Sequence, residues 1–128
     1  MMRFVQASVI RVAGCEGFDA DIDLGFGVHV HRLVRMRRRD LPYEYAGHGQ
    51  EANHCLVCLV GGKPVLLVDA REDGKWVTAD VFLTAPTAQF PQVALPGLPG
   101  KYVDVYAAML WAAAQGWDAR LVREALKP

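Results

Sequence analysis

The stretch FDADIDLGFGVHVHRLVRMRRR, residues 18–39, decides how the chain reads. Phe18, Ala20, Ile22 and Leu24 alternate with Asp19, Asp21 and Asp23, a period of two that gives a strand one apolar and one acidic face. Gly25-Phe26-Gly27 supplies the turn. Beyond it, Val28, Val30, Val34 and Met36 fall on one parity and His29, His31, Arg35, Arg37 and Arg39 on the other, with Arg32 and Leu33 as exceptions. One face of this second strand is therefore basic. The two strands read as a hairpin, and residues 1–12 as a third strand preceding it.

Working toward the C-terminus, the period changes. Ala52, Cys55, Leu56, Leu59 and Val60 follow the spacing of an amphipathic helix over residues 50–60, closed by Gly61-Gly62. Residues 64–69 and 76–83 are β-branched and apolar around a polar stretch containing Gly74, a second hairpin. Residues 84–100 hold four prolines and two glycines among the apolar Phe90, Val93, Leu95 and Leu98, which predicts a long loop, either laid across the barrel or the C-terminal helices or presenting these side chains as a docking or self-association surface. Val103, Tyr106, Ala107, Leu110, Trp111 and Ala114 form a helical stripe ended by Gly116, and Asp118 is placed to cap a last helix through Leu126. The order β-β-β-α-β-β-α predicts an α+β fold, a five-stranded OB-type β-barrel with one inserted helix and C-terminal helices; other α+β arrangements fit the same pattern.

At 128 residues the chain reads as one domain, 1–128, able to bury a single core. Fourteen basic and fourteen acidic residues cancel to a formal charge of zero, and a 52% hydrophobic composition excludes a disordered chain. The zero hides segregation, since residues 16–23 carry four acids and residues 29–39 carry five arginines and two histidines. No apolar run reaches the roughly 18 residues of a bilayer span, and no cleavable leader is visible. Three cysteines are too few for a disulfide scaffold and read as reduced thiols, hence a cytoplasmic protein.

Several runs resemble the staphylococcal-nuclease-like domain, especially its phage and prophage members. They are Val9-Ile10-Arg11-Val12, then residues 21–28, Val34 through Pro42, Asp73-Gly74-Lys75-Trp76 and Ala79-Asp80-Val81-Phe82, covering about residues 4–83. The resemblance implies an OB-fold and calcium-dependent hydrolysis of DNA or RNA. It places Gly14-Cys15-Glu16-Gly17 on the family's Asp-Gly-Asp-Thr, so that Glu16 alone keeps a carboxylate there. It matches Arg35 and Asp40 to a family arginine and aspartate, sets Tyr43 where the catalytic glutamate stands with Glu44 one place late, and sets Lys75 on the second arginine.

Phosphodiester hydrolysis needs a hard cation, a carboxylate to orient or deprotonate water, and cations to hold the charge that builds on the phosphoryl oxygens. Here the base, one metal carboxylate and the bidentate fork of the second arginine are all altered together. The sequence thus predicts a nuclease-like binding domain with a degraded active site and no cofactor, rather than an enzyme. Its partner is nucleic acid, held through Arg35, Arg37, Arg39 and Lys75, or a host protein whose machinery it inhibits. The alternative is a weak, diverged nuclease with Glu16 and Asp40 on calcium and Arg35, Glu44 and Lys75 in catalysis. The remaining candidates read blandly: His29 and His31 as solvent- or phosphate-facing, Cys55 as a buried thiol rather than a zinc ligand with Cys58, and Trp76, Trp111 and Trp117 as packing residues.

Overall fold

The computed structural model describes residues 3–14, 17–37, 49–84 and 89–127. Its first half is β1 (Phe4–Val12), β2 (Gly17–Gly25), β3 (Val28–Met36), α1 (Gly49–Val60), β4 (Pro64–Asp73) and β5 (Trp76–Leu83). β1 is antiparallel to β2 and to β4, β2 to β3, and β4 to β5. β3 then runs parallel to β5, Leu33–Met36 against Trp76–Ala79, and closes the ring. This is the expected five-stranded OB-type barrel, with α1 inserted between β3 and β4 and further helices at the C-terminus.

Alternation fills the barrel. Val9, Phe18, Val34, Leu67 and Val81 point inward from the five strands and are buried in one core. The buried face of α1, Ala52, Cys55, Leu56, Leu59 and Val60, is the one its spacing predicts. Lys63 Nζ donates to the Cys58 carbonyl (2.9 Å) near the C-terminal end of α1. That helix packs on the C-terminal pair α2 (Val105–Ala114) and α3 (Ala119–Leu126). Asp104 and Asp118 cap the two helices, accepting from the backbone amides of Tyr106 (3.1 Å) and Arg120 (2.9 Å).

Three features depart from the sequence reading. β4 continues past Asp69 to Asp73, because a bulge between Val68 and Arg71 absorbs one change of register. Asp69 sits in the left-handed region (φ 52°), held there by donating its amide to the Arg3 carbonyl (3.0 Å) while its carboxylate accepts the Arg3 amide (3.1 Å). Second, residues 84–100 are not wholly irregular. β6 (Gln92–Val93) pairs with β7 (Tyr102–Asp104), and β7 takes Phe82 and Leu83 of β5 as partners, on strand positions beyond those that β3 occupies. An open strand edge is satisfied this way, and it draws Val103 out of the helix that follows.

Third, α2 buries Val105, Tyr106, Ala108, Met109 and Ala112, a face shifted from the expected stripe. A helix that is apolar nearly all round gives spacing nothing to select.

Of the proline-rich segment, residues 85–88 lie outside the described residues, and Phe90 and Leu95 pack inward as the first of the two readings expects. Phe90 is buried, its ring edge-on to Trp111 at 5.0 Å, and Leu95 is buried with Val68 and Phe82 in a small cluster apart from the main core. Trp117 is buried as well, and Trp76 is half-buried on β5. Cys55 is wholly buried, which pushes its thiol up to about 11, with Cys58 and Asp118 adding to the shift. Native protein at pH 8 is therefore expected to leave Cys55 unalkylated by iodoacetamide while half-buried Cys58 reacts, with both labelled in urea. Mass spectrometry of the peptides checks this, and labelling of Cys55 in the folded state refutes its burial.

Candidate functional site

Hairpin register decides which side chains share a surface. The turn at Gly25-Phe26-Gly27 sets Asp23 opposite His29 and Asp21 opposite His31, so the acidic row of β2 and the histidines of β3 lie together on the outer face of the barrel. His29 Nδ1 lies 3.3 Å from Asp21 Oδ2, His31 Nε2 lies 3.7 Å from Asp19 Oδ1, and Arg11 Nη2 reaches Asp19 Oδ2 at 3.2 Å. Sequence reading separated an acidic strand from a basic one and missed that they form one mixed face. The signal was present, since residues opposite each other in an antiparallel pair point the same way.

The arginines of β3 and its end also find carboxylates, all from the second hairpin. Arg32 Nη1 lies 2.6 Å from Glu72 Oε1, Arg35 Nη2 3.2 Å from Asp73 Oδ2, and Arg37 Nη1 2.9 Å from Asp80 Oδ2. Arg37 Nη2 also donates to the carbonyl of Asp69 at the β4 bulge. The Arg35 guanidinium stands 5.5 Å from the Trp76 ring centroid, and Trp76 in turn covers Gly17, where an added Cβ would approach the ring to 3.0 Å and the Val34 carbonyl to 2.8 Å. Lys75 is exposed in the β4–β5 turn after Gly74, whose φ of 62° that turn requires.

Arg35 and Lys75 are thus brought to one end of β5, with Arg37 farther along the same surface. Glu16, Arg39, Asp40 and Glu44 lie outside the described residues. Among the described residues, no group of three or more His, Cys, Asp or Glu is arranged to hold a metal ion. No described helix is long and apolar enough to cross a membrane.

Two concavities flank this surface. A groove of about 320 Å³ crosses the outside of β2, β1 and β4, with Asp21, Asp23 and His29 on one side, Gln6 and Ser8 in its floor, and Leu98 and Tyr102 on the other. Tyr102 is fixed there by donating its hydroxyl to the Pro99 carbonyl at 3.0 Å. The second, of about 280 Å³, is an apolar opening at one end of the barrel. No protein-family model matches the sequence, and neither does any curated protein. The fold that the nuclease resemblance implied is present, and the comparisons add no tie to nucleases or to phage proteins.

Proposed function

We propose that the chain is an OB-type binding module without nuclease activity and that its ligand is a basic segment of a protein. The observation that carries this reading is the pair of carboxylates, Asp21 and Asp23, that β2 sets along the groove while the arginines of β3 are engaged elsewhere. OB-folds bind oligonucleotides across strands 2 and 3 and the adjoining loops, where cations meet phosphates. Here β2 turns Asp19, Asp21 and Asp23 to that side, and the carboxylates of β4 and β5 already engage Arg32, Arg35 and Arg37. A phosphate backbone would meet carboxylates on β2, whereas a lysine or arginine side chain entering the groove beside Asp21 and Asp23 would gain charge-assisted hydrogen bonds.

The nuclease-like reading enters as ancestry: a barrel that kept the fold while Tyr43 and Lys75 replaced the reactive glutamate and arginine. The likeness to phage members points to a host protein in the cytoplasm as the partner, inhibited by being bound.

Fluorescence anisotropy with a labelled lysine- and arginine-rich peptide, and separately with labelled duplex DNA, tests the proposal. The peptide is expected to bind, and Asp21→Asn with Asp23→Asn to weaken it at least about tenfold, one unit of log affinity or about 1.4 kcal/mol. DNA is expected not to bind, and neither DNA nor RNA to be cut in millimolar calcium. DNA binding whose log affinity falls with log salt at a slope near −2.7, about −0.9 for each of three phosphates, flattened in Arg37→Ala with Arg39→Ala, would replace this reading with a nucleic-acid interface. Calcium-dependent cleavage lost in Glu16→Ala or Asp40→Ala would restore the enzyme.

A further inference from the structure

The barrel wall gives out on one side beyond Ile22. β1 pairs with β2 only as far as Ala7 opposite Ile22, and β3 meets β5 only from Leu33 onward. Residues 23–29 therefore stand out from the barrel as a short two-stranded arm. The arm prolongs the apolar row that lines the interior, but Leu24 and Val28 on it are each more than half exposed. Its tip is Phe26, fully exposed and held at φ 54° between two glycines, a backbone region that bulky residues seldom occupy. Below the arm the barrel opens in the apolar mouth, lined by Val5, Ile22, Leu24, Val30, Leu67 and Val77. Its rim carries Arg71 and the Arg32–Glu72 pair.

We infer that a second copy of this chain covers this end, two copies meeting about a two-fold axis with each Phe26 seated in the other's mouth. A knob and a hole at the same end of one chain are what an isologous contact requires, because the same patch must serve on both sides. Phe26 leaves its own mouth on an extended strand and a tight turn, so the ring does not fill it. The charges select among partners. A lipid surface or a nucleic acid favours a rim of one basic sign, while this rim sets Glu72 against Arg32 and Arg71 and the chain's formal charge is zero. Across a two-fold axis a rim of both signs can set Glu72 of one copy against Arg71 of the other. The inference does not depend on the peptide groove, since no residue lines both concavities.

Sedimentation equilibrium of the full chain, from low micromolar to several hundred micromolar, is expected to show a concentration-dependent dimer. Phe26→Ser, at an exposed turn that folding does not need filled, is expected to weaken it at least about thirtyfold with an unchanged circular dichroism spectrum. Ala70→Trp, which plugs the mouth and leaves the arm intact, is expected to do the same. Mixing the two variants should restore one of the two contacts and yield a heterodimer weaker than the parent dimer, which unfolding of either variant would not produce. Should Ala70→Trp fail to fold, Phe26→Ser decides alone. A chain that stays monomeric throughout, or a dimer indifferent to Phe26→Ser, overturns the inference.

Discussion

Phe90→Ala is expected to lower the unfolding free energy by roughly 3–5 kcal/mol, and Leu95→Ala by roughly 2–5 kcal/mol. Both side chains come from a segment that its composition marks as a loop, yet both are nearly solvent-free. Phe90 belongs to the main core through its edge contact with Trp111, while Leu95 fills the small cluster outside the barrel with Val68 and Phe82. Since the two belong to separate clusters, their costs should add to within a few tenths of a kcal/mol in the double variant. Urea denaturation reads this as a fall in the midpoint at constant m-value. Unchanged midpoints in either single variant would mean that the segment does not pack as described and is free to meet a partner. With the expected result, Phe90 and Leu95 are not free to dock, whereas Leu24, Phe26 and Val28 of the hairpin arm stand exposed.

How far the sequence disclosed these features depends on the range of the interaction behind each. Period-two and helical spacings are local, so Phe18 to Leu24 and Ala52 to Val60 announced their inward faces before any partner was known. Asp118 announced a cap for the same reason. The β4 bulge at Asp69 is not local. It exists because Arg3, sixty-six residues earlier, satisfies both its amide and its carboxylate. β7 likewise forms because β5 has an edge that β3 does not cover, a property of the closed barrel and absent from Tyr102–Asp104 taken alone. The candidate site divides similarly. That His29, His31, Arg35 and Arg37 share a face was legible from parity. That Asp19 and Asp21 reach the histidines, and that acids from a second hairpin reach the arginines, depended on which strands the barrel brings side by side. Composition runs along one strand overstate free charge for this reason.

Arg37 turns that point into the second large expected effect. Its guanidinium bridges three strands: it leaves the end of β3, meets Asp80 of β5 at 2.9 Å, and donates to the Asp69 carbonyl where β4 bulges. Its own amide donates to the Ala79 carbonyl at 2.9 Å. Both members of the ion pair are mostly shielded, with side chains 30% and 23% exposed, so water replaces the lost bonds poorly. Arg37→Ala is expected to destabilise the fold by about 2–3 kcal/mol, the range for hydrogen bonds to charged groups plus the loss of a donor at the bulge. Arg37→Lys should recover part of this, since an ammonium carries the charge but lacks the planar fork that spans two acceptors. Arg35→Ala, removing a more exposed pair with Asp73, should cost no more than about 1 kcal/mol. The contrast between the two arginines is the measurement. A clamp makes Arg37→Ala much the worse in urea and leaves any salt dependence of DNA binding alone. A phosphate contact does the reverse, leaving stability within about 0.5 kcal/mol of the parent and flattening the slope of log affinity against log salt by about 0.9.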